Sequence, residues 1–172
     1  MDSNSARFNW SPPSSNGGLP ITGYYLLVRH DQDATSDVYG ASGSDRTLTN
    51  LQRNTLYRWG VRAINSAGES GVAGGPAFRT DKEVPSVGGP VEVVNITSTS
   101  SLINWETGDN GGADIEKTQV VLSTTTNRDD VATRVYNETV ETAASNRPIT
   151  GLTRATLYYY WIRIHNGAFW SD

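Results

Sequence analysis

Histidine is the residue that could serve as a catalytic base in this chain, which has His30, His165 and no cysteine. A serine nucleophile needs a histidine within hydrogen-bond reach and a carboxylate that orients it. No serine lies in a Gly-x-Ser-x-Gly turn, and each half of the chain holds one histidine at the end of a predicted strand. We interpret both histidines as incidental strand-end residues and predict no nucleophilic site.

Paired carboxylates could act as general acid and base. The sequence offers two such pairs, Asp31 with Asp33 and Asp129 with Asp130. Both pairs fall in predicted loops, where acidic side chains are ordinarily solvated. We therefore predict no catalytic residues, and a protein that is not an enzyme.

One loop gathers oxygen-bearing side chains of the kind that bind calcium, namely Asp109, Asn110 and Asp114. A calcium site needs several converging oxygens, whereas the glycine pair at 111–112 marks the same loop as a tight turn. The turn is the better explanation of these residues. Because the chain also has no cysteine for a thiolate metal site or a disulfide, we expect no metal and no cofactor.

The charge and hydropathy of the chain exclude several classes of partner. The net charge is −4 over 172 residues with both signs mixed, and no basic run could neutralise phosphates, so we expect no nucleic acid partner. Apolar runs are only a few residues long, so we expect no membrane insertion in this segment. The first seven residues lack the apolar core of a signal peptide. Other proteins, or other copies of the chain, are the partners we expect.

An internal repeat organises the chain. Four features recur in the same order: Trp10 as Trp105, Asn16-Gly17-Gly18 as Asn110-Gly111-Gly112, Leu51…Tyr57 as Leu152…Tyr158, and Asn65 as Asn166. The offset is 94 to 95 residues early and 101 later, so the second copy holds extra residues between 124 and 146. A period of this size is one small domain. We predict a domain over 1–82, a linker over 83–89 and a second domain over 90–172.

Short runs alternate apolar with polar residues, as in strands that bury one face. Tyr24, Leu26 and Val28 form one such face. Strands are predicted at 6–10, 21–29, 56–65, 91–96, 101–105, 114–124, 131–136 and 158–165. The Asn-Gly-Gly segments supply turns. The pattern predicts an all-β fold of two tandem antiparallel β-sandwiches.

The order and spacing of these residues, found twice, resemble the fibronectin type III domain, an immunoglobulin-like β-sandwich. The structural core residues that the resemblance assigns are Trp10, Trp105, Leu51, Leu152, Tyr57 and Tyr158. The resemblance implies that each tryptophan fills the centre of a core and each leucine plugs its base. It also implies a tyrosine corner in each domain, in which the tyrosine hydroxyl bonds a nearby backbone group.

Two departures from the family pattern are visible. Too few residues precede Phe8 for a first strand, and the second domain reaches Asp172 before any seventh strand. We therefore predict that the first domain lacks its first strand and the second its last. Either the sequence is a fragment of a longer array, or neighbouring chains supply the strands by addition to an open edge.

Outward-facing aromatic residues are the main sign of a binding surface. On the late strand of the second domain, alternation puts Tyr158, Tyr160 and Ile162 inward and the residues between them outward. The predicted protein interface comprises Tyr159, Trp161, Arg163 and Val121 in the second domain and Tyr25 and Leu27 in the first. Exposed aromatics beside arginine are enriched at interfaces. Alternatively, stacked arginine and aromatic side chains simply cover the sheet.

Three Asn-x-Ser/Thr triplets could accept N-linked glycans in a secreted protein. Asn137, in a predicted loop, would be the most accessible, and Asn95 is a second candidate. Asn9 lies beside a tryptophan predicted to be buried and is a poorer acceptor. These sites matter only if the protein is secreted.

A further short match concerns the end of the sequence. Trp170-Ser171 matches half of the Trp-Ser-x-Trp-Ser signature of cytokine receptors. The second half is missing from the sequence, as are the cysteines of those receptors, so the match carries little weight.

These features favour a non-catalytic structural or adhesion module that mediates protein–protein contacts and spacing within a larger surface or extracellular protein. Two alternatives remain open. The pair could be a building block of an ordered filament or coat assembled through open strand edges. It could also be an accessory linker module of a secreted polysaccharide-active enzyme. An intrinsic enzyme is the weakest class, because no constellation of residues supports one.

Overall fold

The computed structural model describes residues 2–172, and their regular structure consists of antiparallel strands. The chain divides into two compact units, unit 1 up to Asp81 and unit 2 from Lys82. Over the described range, no helix is long and apolar enough to cross a membrane. The predicted all-β class is confirmed.

Unit 1 is built around one two-stranded sheet and one larger sheet. Its strands are β1 (Ala6–Asn9), β2 (Gly23–His30), β3 (Asp37–Ala41), β4 (Asp45–Leu48), β5 (Leu56–Asn65), β6 (Gly68–Glu69), β7 (Ala73–Gly74) and β8 (Phe78–Arg79). β1 pairs with β4. The larger sheet has the order β3-β2-β5-β6, and β7 and β8 also pair with β5. The last three strands are thus short segments laid along one edge of β5.

The core of unit 1 lies between these two sheets. On β2 the predicted face of Tyr24, Leu26 and Val28 is buried, and the residues between them are half-buried. Phe8 from β1 and Leu48 from β4 join the same buried cluster. Burial of each large apolar side chain contributes about 1.5–3 kcal/mol, so this alternation determines which face of each strand turns inward.

Unit 2 consists of two three-stranded sheets. Its strands are β9 (Val87–Val94), β10 (Ser100–Thr107), β11 (Lys117–Ser123), β12 (Arg134–Val140), β13 (Asn146–Thr150) and β14 (Tyr159–His165). The sheet orders are β13-β10-β9 and β12-β11-β14. The buried core between them comprises Ile103, Trp105, Val120, Leu122, Ile149 and Ile162.

The two units differ at the edges where strands were predicted to be missing. β1 pairs with β4 alone, whereas its counterpart β10 pairs with both β13 and β9. β5 pairs with β2 and with β6–β8, whereas its counterpart β14 pairs with β11 and forms one bridge, from His165 to Trp170. Within residues 2–172, the two units therefore differ in which strands pair with the outer edges of β1 and β14.

The start of unit 2 departs from the sequence prediction. β9 begins inside the predicted linker 83–89, because the chain there is already held by unit 2. The Glu83 N–H donates to the Gly111 carbonyl at 2.9 Å, and the Ser86 N–H donates to the Asp109 carbonyl at 2.8 Å. The structure thus places these residues in the fold of unit 2 and not in a free tether.

The extra residues of the second copy lie around β12, which begins three residues and ends four residues later than predicted. A cluster of hydroxyls holds the loop before it. The Ser123 hydroxyl donates to the Thr133 carbonyl at 3.0 Å, and the hydroxyls of Thr125 and Thr133 are 3.0 Å apart. This shift puts Asn137 on an edge strand instead of in the predicted loop.

Candidate functional site

A tyrosine corner closes the base of each core. The Gln52 backbone N–H donates to the Tyr57 hydroxyl at 2.9 Å, and the Thr153 N–H donates to the Tyr158 hydroxyl at the same distance. Tyr57 is buried and Tyr158 is half-buried. Donation from Thr153 favours the phenolate and holds the pKa of Tyr158 below its ordinary value.

We expect Tyr57→Phe to lower the free energy of unfolding of unit 1 by about 1–2 kcal/mol, because the Gln52 N–H loses its acceptor in a partly buried site. Tyr158→Phe should cost unit 2 less, since water reaches the exposed Thr153 N–H and can replace the hydroxyl. Urea unfolding of each variant measures the two losses. An equal or larger loss for Tyr158→Phe would contradict this assignment.

The paired tryptophans differ in depth. Trp105 is 3% exposed in the core of unit 2, whereas Trp10 is half-buried at the rim of the core of unit 1. On β1, which ends one residue before Trp10, Phe8 is the buried residue. Leu51 and Leu152 pack, partly buried, against their respective cores. The implied central tryptophan is therefore present in unit 2, while in unit 1 phenylalanine takes the inner position.

A buried asparagine joins the Asn-Gly-Gly loop of unit 2 to the end of β14. Asn166 is 0% exposed, and its Nδ2 donates to the carbonyls of Glu83 at 2.8 Å and Asn110 at 3.0 Å. Its Oδ1 accepts from the backbone N–H groups of Ala168 and Phe169. One amide therefore ties the first residues of the unit, the loop and the turn after β14 together.

Unit 1 repeats this link nearer the surface. Nδ2 of the half-buried Asn65 donates to the Asn16 carbonyl at 2.9 Å, and its Oδ1 accepts from the Ala67 N–H at 2.9 Å. The sequence contained the signal, because this asparagine and the Asn-Gly-Gly loop recur together. Their contact could not be inferred from the recurrence alone, and we call it the asparagine link below.

The outer face of β14 carries the predicted interface of unit 2. Tyr159, Trp161 and Arg163 lie there, and all three are half-buried. Val121, which was predicted to face outward with them, is only 3% exposed. Because it sits on the middle strand, in register between Trp161 and Asn137, larger neighbours on both edges can cover it. The prediction that Val121 belongs to an exposed interface is therefore corrected.

Tyr160 shows the opposite departure. It was predicted to face the core, yet it is 37% exposed. Its hydroxyl donates to the Val91 carbonyl on the other sheet at 3.3 Å, so the side chain does turn inward. The exposure arises because, in the part of the chain that the structure describes, β14 has no further strand beside this position.

A row of polar contacts crosses the outer face of unit 2. Arg163 Nε donates to Gln119 Oε1 at 2.6 Å, and Gln119 Nε2 donates to Asn137 Oδ1 at 3.0 Å. The guanidinium of Arg163 also stacks on Trp170, 4.6 Å from the ring centre. Such cation–π contacts contribute about 0.5–1 kcal/mol at exposed sites. Arg163 thus covers and stabilises this face itself, which supports the alternative in which these side chains simply shield the sheet.

The Trp170-Ser171 match has a local explanation. The Ser171 hydroxyl accepts from the Ile164 N–H at 3.1 Å, and Ser70 does the same with the Ala63 N–H at 3.0 Å. The serine is therefore common to both units. At the position of Trp170, unit 1 has Glu69, which forms an ion pair with Arg62, the equivalent of Arg163. The same arginine is thus held by a carboxylate in one unit and by an indole ring in the other.

The outer face of unit 1 carries Tyr25 and Leu27, which are both half-buried. Tyr25 lies opposite Arg62 and Leu27 opposite Gly60. Arg62 forms an ion pair with Glu69 at 2.9 Å. As in unit 2, an aromatic residue and an engaged arginine lie side by side on this face.

The residues considered for catalysis or metal binding make contacts typical of turns and surface pairs. His30 Nδ1 lies 3.4 Å from the Asp33 carboxylate, and His165 Nδ1 accepts from the Gly167 N–H at 3.1 Å. Asp109 accepts from the backbone N–H two residues later, within its turn. Across residues 2–172, no group of three or more histidine, aspartate or glutamate side chains could hold a metal ion.

The three candidate glycosylation residues are all exposed. Asn137 lies on β12, where its Oδ1 accepts from Gln119 Nε2 at 3.0 Å. Asn95 lies in the turn before β10 with a φ of +52°. Asn9 is on β1. Their accessibility agrees with a role as acceptors, which remains a prediction.

The same turn position has a left-handed backbone conformation in both units, but it is occupied by different residue types. Ala155 has a φ of +52°, and its counterpart Asn54 has a φ of +51°. Asparagine tolerates this left-handed region far better than alanine. We expect Ala155→Asn to stabilise unit 2 by about 1 kcal/mol and Asn54→Ala to destabilise unit 1 by a similar amount. Denaturant unfolding checks both, and a loss of stability in Ala155→Asn would be the contrary result.

Comparison with known proteins places these features in a family. The fibronectin type III domain family model matches residues 1–77. Endoglucanase B of Cellulomonas fimi is 30% identical over 98% of this chain, and fibronectin type-III domain-containing protein 3a of Gallus gallus is 28% identical over 63%. The chain spans only 16% and 9% of those two proteins.

A solved structure shows the same two-unit fold. A segment of two fibronectin type III domains from chicken tenascin superposes with a TM-score of 0.52 at 15% identity. The superposition covers 99% of this chain and 89% of the tenascin segment. The family match identifies residues 1–77 as a fibronectin type III domain, and the superposition shows that the two units have the fold of two such domains in tandem.

Proposed function

We propose that this chain is a non-catalytic spacer and protein-contact segment of a larger extracellular protein. The observation that carries the proposal is the way the chain passes from one unit to the next. Thr80, 2% exposed, donates to the Gln52 carbonyl at 2.6 Å, and the Asp81 carbonyl accepts from the Asn54 N–H at 3.1 Å. Glu83 is already bonded within unit 2.

A flexible tether needs a run of residues free of hydrogen bonds to either unit. Here unit 1 holds the backbone up to Asp81, and unit 2 holds it from Glu83. Two self-contained domains that follow one another in this way suit a segment that sets a distance in a longer chain. The aromatic and arginine side chains on the outer faces offer the surface for protein contact.

Single-molecule stretching tests the spacer role. We expect two separate unfolding events, each releasing roughly 25–30 nm of chain, because the units hold 81 and 91 residues with their own cores. Both events should return after relaxation, since a spacer must refold after strain. One event of double length, or extension without a force peak, would overturn the proposal.

A second candidate function is an accessory segment of a polysaccharide-active enzyme. The observation that favours it is that endoglucanase B matches 98% of this chain, and therefore both units together. The test is to place the chain between a glycoside hydrolase catalytic domain and a cellulose-binding domain, with a Gly-Ser linker of equal residue number as the matched control. We expect the fusion with this chain and the fusion with the Gly-Ser linker to be equally active on a soluble substrate and to differ in activity on insoluble cellulose. If the two fusions were equally active on the soluble substrate and also on cellulose, that result would count against this role.

A further inference from the structure

Unit 2 contains two asparagines that are followed directly by glycine, Asn110 and Asn166. In such a pair the backbone nitrogen of the glycine can attack Cγ of the asparagine, because the two groups are held close together and glycine has no Cβ to hinder the approach. The structure gives the two asparagines opposite surroundings. Asn110 is exposed, whereas Asn166 is 0% exposed. Both belong to the asparagine link, since Asn166 Nδ2 donates to the Asn110 carbonyl at 3.0 Å.

Two contacts at Asn110 involve the atoms that would react. The Gly111 N–H, whose nitrogen would attack, donates to Asp109 Oδ1 at 2.8 Å. The Gly112 N–H donates to Asn110 Oδ1 at 3.0 Å. The carboxylate is placed to accept the proton as the nitrogen attacks, and the Gly112 N–H stabilises the negative charge that develops on Oδ1. The loop therefore supplies a proton acceptor and an oxyanion donor to the same reaction.

Asn166 has comparable contacts, but its leaving group is held. The Gly167 N–H donates to His165 Nδ1 at 3.1 Å, and Asn166 Oδ1 accepts from two backbone N–H groups of the turn that follows. Its Nδ2, however, donates to two backbone carbonyls. Ammonia leaves only after solvent has protonated this nitrogen, and a fully buried amide that is bound on both sides gives solvent no access. Burial therefore separates the two asparagines more than sequence does.

We propose that Asn110 is a site of spontaneous deamidation and that Asn166 is protected from the same reaction by burial. The Gly111 nitrogen forms a bond to Asn110 Cγ and gives up its proton, the bond from Cγ to Nδ2 breaks, and the amide nitrogen leaves as ammonia. The resulting succinimide takes up one water and opens, at one carbonyl to aspartate and at the other to isoaspartate. The reaction needs no oxidant and no cofactor. The inference goes beyond the proposed spacer function and does not depend on it.

The isoaspartate product would break the asparagine link of unit 2. In isoaspartate the main chain runs through Cγ, so the backbone between residues 110 and 111 gains one carbon. Gly111 leaves no space for a longer backbone, because even a Cβ there would overlap the Glu83 carbonyl. The Asn110 carbonyl, which accepts from Asn166 Nδ2, would also become part of a side-chain carboxylate. Isoaspartate should therefore weaken unit 2 and leave unit 1 intact, whereas aspartate keeps the backbone unchanged.

The first test measures deamidation of the intact chain during incubation at mildly alkaline pH. Peptide mapping by mass spectrometry detects, at each asparagine, the mass increase that comes from replacing the amide NH₂ by OH. In the folded chain we expect Asn110 to react at least tenfold faster than Asn166. In urea that unfolds both units, the two rates should agree within about threefold, because glycine follows both residues and burial no longer separates them.

Two variants separate the contributions of single groups. Asp109→Ser introduces the residue that unit 1 has at the same position, Ser15, and should slow the reaction of Asn110 at least threefold in the folded chain but not in urea. Asn110→Asp supplies the aspartate product without isoaspartate, and the urea midpoint of its unit 2 should stay close to that of the unsubstituted chain. After incubation, the unsubstituted chain should contain isoaspartate, detected by enzymatic methylation, and a population in which the midpoint of unit 2 alone is lower.

Four results would overturn the inference. Equal rates at Asn110 and Asn166 in the folded chain would show that burial does not protect. Deamidation of Asn110 in urea alone would show that the folded loop prevents the attack. An unchanged rate in Asp109→Ser would show that the carboxylate takes no part in the reaction. Isoaspartate at residue 110 with an unchanged midpoint for unit 2 would show that the modification leaves the asparagine link intact.

Discussion

Asn166→Ala should lower the free energy of unfolding of unit 2 by about 3 kcal/mol. The substitution leaves two carbonyls and two N–H groups without the amide that joins them, at a position with no exposure to water. Each buried group left unpaired costs about 1–3 kcal/mol, and partial relaxation of the loop keeps the total below a simple sum. The effect should be among the largest of any single polar substitution in the chain.

Asn65→Ala is the matched control, because it removes the same side chain from the same place in unit 1. Asn65 is half-buried and makes two of these side-chain contacts, so water can replace part of what is lost. We expect a loss of about 1 kcal/mol. Equilibrium unfolding in urea measures both variants, and equal losses would show that burial of the asparagine link does not matter.

Gly111→Ala should destabilise unit 2 by about 3 kcal/mol or more, or prevent it from folding. Gly111 has a φ of +68°, which alone costs a non-glycine residue about 1–2 kcal/mol. An added Cβ would also overlap the Glu83 carbonyl and lie 2.7 Å from Asn166 Nδ2. The Glu83 carbonyl belongs to the backbone and cannot move without breaking the bonds that begin unit 2.

Gly17→Ala isolates the backbone part of this effect. Gly17 has nearly the same φ, +67°, but the nearest atom to an added Cβ is Asn65 Nδ2 at 3.9 Å. We expect a loss of about 1–2 kcal/mol, due to strain alone. The difference between the two variants then measures the cost of the steric overlap, and thermal unfolding followed by circular dichroism supplies both values. Indistinguishable losses would rule out the close approach of Gly111 to Glu83.

The fold was predictable because it depends on patterns that repeat. Alternation of apolar and polar residues identified the buried face of β2. The recurrence of Trp10 and of the two corner tyrosines identified the equivalent strands of the two units and the edges at which the units differ. Where a side chain has neighbours on both sides, alternation was insufficient. Val121 faces outward in the pattern yet is buried, because its exposure depends on the size of residues on two other strands.

The site-level features depend on contacts between distant segments, and such contacts leave weak traces in one sequence. The composition of residues 83–89 is that of a linker, yet two backbone bonds to the loop at 109–111 fix them in unit 2. Likewise, the inward turn of Tyr160 was predicted from alternation, but its exposure follows from the neighbours of β14.

Hydrogen exchange followed by mass spectrometry of the intact chain tests the central claim most directly, which is that the two domains are self-contained and each is closed by its own asparagine link. We expect Asn166→Ala to lower protection in β10, β11 and β14 and to leave β2 and β5 unchanged. For Asn65→Ala we expect the reverse pattern, with a smaller loss of protection. Loss of protection in both units after either substitution would contradict the account, because it would mean that the chain opens as one cooperative body.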